Sequence, residues 1–263
     1  MVGGRLGAVA HYPARRPPVK RCAHLGFAIL ISLSAASAFA RATPTTLQTT
    51  ASEQFTAYVD GPKDAARGVV LVHDWFGVSP FYTQAVERLA KDGYRVVAVD
   101  LYGGKQATTH DEAAKLLEAV HDDVAGREID AAIESLAGSG RKVAVMGFSM
   151  GVKHALVAAM RDKSVSATVL WYGQTIKDPQ KLRQLAGPAL LIVGSRDGDS
   201  AADDSAAFSK AADAAGVGAE VFVYPGAAHA FAQPLFNQGK TYDPSGADVA
   251  WRLTESFLQR RLR

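Results

Sequence analysis

The sequence predicts an α/β protein: a mostly parallel sheet with helices on both faces. Short apolar runs alternate with helical patterns from residue 54 to the carboxyl end, an order that builds parallel sheets through helical crossovers. Runs such as Gly68-Val69-Val70-Leu71-Val72-His73 are apolar throughout rather than at every second residue, which marks strands covered on both faces. A glycine-flanked turn, Gly147-Phe148-Ser149-Met150-Gly151, links one such run directly to a helical stretch.

The elements follow in order. Gln54–Val59 reads as a weak first strand and Gly68–His73 as a buried one. Ser79-Pro80 then opens a helix, with serine as cap and proline where no intrahelical N–H is needed. Phe81, Ala85 and Leu89 recur at helical spacing, and Asp92-Gly93 ends the helix. After the strand Arg95–Val99, Thr109 and Glu112 have capping-box spacing ahead of Leu116, Leu117 and Val120. Ile129, Ile133 and Leu136 predict a second helical piece, separated at Gly126. Lys142–Met146 is the strand before the glycine-flanked turn and Val152–Met160 the helix after it. Val165–Trp171, Ala189–Val193 and Glu220–Tyr224 are later strands, Ala206–Ala215 is a helix between the last two, and Ala250, Leu253 and Phe257 mark the closing helix.

Residues 1–40 read differently. Arg5, Arg15, Arg16, Lys20 and Arg21 precede an apolar run from Leu25 that ends in Ala38-Phe39-Ala40, with no acidic residue. A basic segment, a short apolar stretch and a small-x-small end predict a secretory signal cleaved near Ala40. Sixteen residues with three serines are short and polar for a membrane span. A secreted or periplasmic domain of residues 41–263 is expected, with no membrane association after cleavage. The whole chain is +3, but removing five basic residues leaves 24 basic against 26 acidic, a net −2. No nucleic-acid partner is therefore expected. Cys22 leaves with the signal, so neither a disulfide nor a cysteine metal site is expected.

In parallel α/β sheets chemistry gathers in loops beyond the carboxyl ends of strands. Ser149 occupies such a position, between a strand and a helix whose amino end favours developing negative charge. A serine hydroxyl needs a base, and His229 follows the strand ending at Tyr224. His110 and His121 look solvated, His154 looks like packing behind the turn, and His73 is a further site candidate. Asp197 follows the strand Ala189–Val193 and is the expected orienting acid, with Asp199 as its rival. The order Ser149, Asp197, His229 is that of α/β-hydrolases. Backbone N–H groups of Met150 and Trp75 are the expected oxyanion donors. Asp74, Tyr102, Trp171 and Tyr172 are candidate pocket residues, and the loop Gly103–Thr109 is the one clear candidate lid.

The landmarks His73-Asp74-Trp75-Phe76-Gly77, Asp100-Leu101-Tyr102, Gly147–Gly151, Trp171-Tyr172-Gly173, Gly194 to Asp197, His229-Ala230-Phe231 and Tyr242-Asp243 together resemble the dienelactone hydrolase family, from about Gly68 to Leu258. The resemblance implies the α/β-hydrolase fold, the same triad and the same oxyanion donors. Three departures stand out. Dienelactone-opening members use a cysteine nucleophile where this chain has Ser149. They carry a glutamate where it has Asp74. They hold the substrate carboxylate with arginines at positions where it has Gln233 and, near the other, Gly104 or Lys105. The expected activity is hydrolysis of carboxylic esters or lactones through an acyl-enzyme, needing no cofactor and no metal, on a substrate that need not be an anionic dienelactone. Thioester or amide cleavage by the same triad, and a non-catalytic binding role on the scaffold, are the alternatives.

Overall fold

The computed structural model describes residues 42–198 and 202–263. The expected signal, residues 1–40, and Asp199 lie outside the described residues. The chain forms β1 (Thr43–Gln48), β2 (Gln54–Asp60), β3 (Arg67–Val72), α1 (Pro80–Lys91), β4 (Arg95–Val99), α2 (His110–Glu118), α3 (Asp122–Ala137), β5 (Lys142–Phe148), α4 (Met150–Arg161), β6 (Val165–Trp171), α5 (Pro179–Leu182), β7 (Ala189–Gly194), α6 (Ala202–Ala215), β8 (Ala219–Tyr224) and α7 (Pro244–Arg261).

One eight-stranded sheet has the order β1-β2-β4-β3-β5-β6-β7-β8. Only the β1–β2 and β2–β4 pairs are antiparallel. The five central and later pairings are all parallel. Side chains alternate between two apolar layers. One holds Val70, Val72, Val143 and Val145 with Ile129 and Ile133 of α3, Leu156 of α4 and Phe208 of α6. The other holds Val69, Leu71, Ala144 and Met146 with Leu89 of α1 and Phe257 of α7. Both faces of the central strands are thus buried, which is why their sequences are apolar without alternation.

Several local expectations need correction. β1 was not expected: its residues are TPTTLQ, its burial is partial, and it caps the sheet edge, where burial imposes little pattern. The break between α2 and α3 falls at Ala119–His121, not at Gly126. Gly126 lies inside α3, where its carbonyl accepts a hydrogen bond from Arg161 at 3.2 Å. The capping box of Thr109 and Glu112 forms. Ser79 does precede α1, but its side chain makes no cap hydrogen bond. Among the described residues no helix is long and apolar enough to cross a membrane.

Candidate active site

The glycine-flanked turn is a strained corner. Ser149 has φ 51° and ψ −113°, a conformation that costs a residue with a side chain about 1–3 kcal/mol. Two glycines let the chain close around it. A Cβ on Gly147 would lie 2.3 Å from the Gly151 carbonyl oxygen, and one on Gly151 would lie 2.4 Å from that of Val72 and 2.6 Å from that of His73. No side chain fits in either place. The start of α4 therefore rests on the end of β3. Ser149 N–H donates to the Trp171 carbonyl at 2.9 Å, fixing the corner to the adjacent strand.

Ser149 Oγ lies 2.9 Å from His229 Nε2. His229 Nδ1 lies 3.1 Å from both carboxylate oxygens of Asp197. The Asp197 carboxylate can only accept, so Nδ1 carries the imidazole proton and Nε2 is left to accept the serine proton. The Asp197 side chain is fully buried and that of His229 is 16% exposed. Their loops are tied together: Arg196 N–H donates to the Ala227 carbonyl at 2.8 Å, and Arg196 Nε to that of Gly226 at 2.7 Å. The three residues meet although 80 positions separate Ser149 from His229.

The turn after β3 is held at almost every polar group. His73 is wholly buried; its Nδ1 donates to the Asp74 carbonyl at 2.5 Å, and its Nε2 accepts Leu101 N–H at 3.1 Å. Burial pulls its pKa down to about 4, so it is a neutral structural ring. Asp74 N–H donates to the Tyr82 hydroxyl at 3.0 Å, and Asp74 Oδ1 accepts Phe76 N–H at 2.9 Å. The Trp75 carbonyl accepts from Tyr102 at 3.0 Å. Trp75 N–H, in contrast, makes no hydrogen bond among the described residues. Met150 begins α4, so its N–H has no intrahelical acceptor. These two free donors are the ones the sequence nominates.

A cavity of 480 Å³ opens over Ser149 and His229. Its walls are Trp75, Met150 and Phe236 near the serine, Leu117 at the end of α2 and Val120 just past it, and Asp122, Lys153, His154 and Gln174 farther out. None of the four candidate pocket residues lines it. Trp171 is core: it packs on Trp251 and Phe148 and donates to Thr254 Oγ1 at 3.0 Å. Tyr172 is buried beneath His229, with ring centroids 5.6 Å apart. Tyr102 and Asp74 brace the turn after β3 from below. Large side chains directly after strand ends fill the space under the loops, so the walls come from residues farther along. Gly103–Thr109 does not reach the cavity either. His110 is exposed, but its ring rests on Trp75 and Phe76, at 5.3 and 5.7 Å. Phe236 completes this cluster, 5.5 Å from His229 and 5.7 Å from Phe76.

Asp74 carries a second point. Burial pushes its carboxyl above the usual range, against the Phe76 N–H, the Tyr82 hydroxyl and the Gln233 amide, which favour the ionised form. Gln233 itself is 1% exposed and does not enter the cavity. No group of metal-ligating side chains occurs among the described residues.

The sheet order and the strained serine between β5 and α4 define the α/β-hydrolase fold. The dienelactone hydrolase family model matches residues 55–262. The chain belongs to that family and is a hydrolase of it. It is similar to "Protein usf" of Aquifex pyrophilus, 29% identical over 216 residues, covering 78% of this chain and 93% of that one. It is also 28% identical over 217 residues to an Aquifex aeolicus protein named "Putative carboxymethylenebutenolidase", with the same two coverages. Among solved structures, a dienelactone hydrolase of Anabaena variabilis superimposes with TM-score 0.65 at 22% identity, over 85% of this chain and 99% of that one. A dienelactone hydrolase-like promiscuous phosphotriesterase from metagenomic libraries gives TM-score 0.74 at 19% identity, over 85% and all of the respective chains. At these identities the structural matches speak for the fold.

Proposed function

We propose that this chain is a serine hydrolase of uncharged carboxylic esters or lactones, working through an acyl-enzyme. The observation that carries the reading is the continuous relay Ser149 Oγ–His229 Nε2 and His229 Nδ1–Asp197 at hydrogen-bonding distance. His229 takes the Ser149 proton as Oγ attacks the carbonyl carbon, and Asp197 stabilises the imidazolium that results. The carbonyl oxygen becomes an oxyanion, met by Trp75 N–H and Met150 N–H and by the amino end of α4. The tetrahedral intermediate collapses, and His229 returns its proton to the departing alkoxide. Water, deprotonated by His229, then releases the acid by the same path reversed.

The preference for uncharged substrates rests on the cavity walls. Among the described residues, the cation on the wall is Lys153, held by Asp122 at 2.6 Å, and no arginine is among the lining residues. Gln233, where the family resemblance implies an arginine, is turned into the core. Leu117, Val120, Met150, Trp75 and Phe236 suit an apolar acyl or aryl group. The basic and apolar segment of residues 1–40 supports export of the enzyme before it acts.

The test is hydrolysis of matched ester, thioester and amide substrates by wild type and Ser149→Ala, with intact-mass detection of the acyl-enzyme. Ester turnover with a mass increment at Ser149, abolished in the variant, is expected. Ester hydrolysis by Ser149→Ala near the wild-type rate would overturn the reading.

A further inference from the structure

Gln233 is four residues past His229, and its amide is fully committed. Nε2 donates to Asp74 Oδ2 at 3.5 Å and to Ser79 Oγ at 3.4 Å, while Oε1 accepts Leu235 N–H at 2.9 Å. Ser79, whose side chain makes no cap hydrogen bond at α1, takes one of these bonds instead. They also place one side chain between three parts of the site. Asp74 shapes the turn that carries Trp75, through its bond to Phe76 N–H. Ser79 marks where that turn enters α1. Leu235 leads directly to Phe236, which lines the cavity. Asp74 and Gln233 are each 1% exposed and Ser79 is 8% exposed, so water does not compete for these bonds.

From this geometry we propose that Gln233 is a positioning residue: acting through Asp74, it holds the Trp75 N–H at the height where the oxyanion of the transition state forms. The proposal rests on the serine-hydrolase reading above. Its physical basis is that the Asp74 carboxylate has two oxygens with two tasks. Oδ1 closes the turn on Phe76 N–H, and Oδ2 is anchored to the loop that also carries His229. Without the anchor, Oδ2 has no tie to the loop that carries His229, and the turn loses its fixed relation to the base. A shift of well under 1 Å at an oxyanion donor is costly because the bond matters only in the transition state.

The experiment compares wild type, Gln233→Met, Asp74→Asn and the double variant. Gln233→Met keeps the side-chain length and removes the hydrogen bonds. On an uncharged aryl ester, Gln233→Met is expected to lose about tenfold in kcat with KM within about twofold, as befits a bond felt only in the transition state. Affinity for a trifluoromethyl ketone, which forms the tetrahedral adduct, falls by the same factor. The double variant loses no more than the worse single variant, because both act through one contact. A folded Gln233→Met variant with kcat unchanged, a loss confined to KM, or unchanged ketone affinity would overturn the proposal. If Gln233→Met does not fold, Asp74→Asn and Gln233→Glu are read by the same three measures. Amide hydrogen exchange of residues 73–79 provides a readout independent of turnover: exchange accelerates in Gln233→Met if the anchor exists. Faster exchange in Gln233→Met, with no Ser149 acylation in the wild type, would fault the hydrolase reading while sparing the anchor. Acylation with unchanged exchange would do the reverse.

Discussion

Around Ser149 backbone packs directly against backbone, whereas the far wall of the cavity consists of side chains that reach solvent. Gly147 and Gly151 leave no room for a Cβ, the turn after β3 is bonded from His73 to Gly77, and Asp197 is fully buried. Across the cavity, Leu117 is 38% exposed, and the Lys153 and Asp122 side chains are 61% and 67% exposed. The floor is fixed by backbone contacts and buried hydrogen bonds, whereas the rim side chains are partly exposed to solvent. On the proposed reading, chemistry belongs to the first region and choice of substrate to the second.

The largest effects are expected on the floor. Gly151→Ala places a methyl 2.4 Å from the Val72 carbonyl oxygen. The helix start must shift away from β3, with a stability loss above about 3 kcal/mol and loss of activity, measured by urea unfolding and ester turnover. Asp197→Asn is a cleaner probe. The shape is kept, but the amide no longer accepts solely, so the wrong imidazole tautomer is stabilised. A fall of about 10⁴ in kcat is expected, by analogy with other triads, with the thermal midpoint little changed. A modest fall would mean that this floor is not working as a triad.

Ser149 itself gives a prediction of opposite sign for stability. Its φ of 51° and ψ of −113° are easy for glycine alone. Ser149→Gly is expected to raise stability by about 1 kcal/mol relative to Ser149→Ala while both are inactive. Thermal melts of the two variants settle it, and equal melting temperatures would remove strain from the account of the floor.

The same division governs what the sequence made legible. Ser149, Asp197 and His229 follow strand ends, and strands with both faces buried announce themselves as apolar runs. Trp75 and Met150 were reachable because their backbone position is fixed by those strands. The rim was not legible. Leu117 looked like one more apolar residue of an amphipathic helix, and Phe236 lies in a short 3₁₀ turn with no periodicity. Trp171 and Tyr172 misled for the same reason in reverse: aromatics after a strand end mark the core beneath the loop as readily as a pocket. Gln233 could be singled out only through the family resemblance, and its inward course depends on Asp74 and Ser79, distant in the chain.

His73 tests the floor through pH. Its folded pKa, near 4, lies below its usual 6.5, so the unfolded chain binds a proton that the folded chain refuses. Its contribution is therefore complete above pH 6.5 and drains away as pH falls towards 4, by about 3 kcal/mol at most. Asp74, Asp100 and Glu128, whose carboxyls burial pushes up, that of Glu128 to about 7, act the other way, so the comparison must be with a variant. In urea unfolding between pH 7 and 4, His73→Gln is expected to lose less stability on acidification than wild type, or to gain more. An identical slope would mean that His73 does not stay neutral in the fold.

The smallest effect belongs to the rim. The Lys153–Asp122 pair is solvent-exposed and contributes under about 1 kcal/mol to stability, so Asp122→Asn should leave the melting temperature and turnover of an uncharged ester unchanged. It releases the Lys153 ammonium, one helical turn from Ser149, to attract a substrate carboxylate. For an aryl ester with a carboxylate at the end of its acyl chain, kcat/KM is expected to rise about threefold to tenfold at low ionic strength, and the gain should fade in high salt as screening shortens the reach of the charge. Lys153→Gln should give no such gain. An equal rise for charged and uncharged esters would show that Asp122 acts on the floor after all, through the position of α4, and the separation of chemistry from choice would have to be redrawn there.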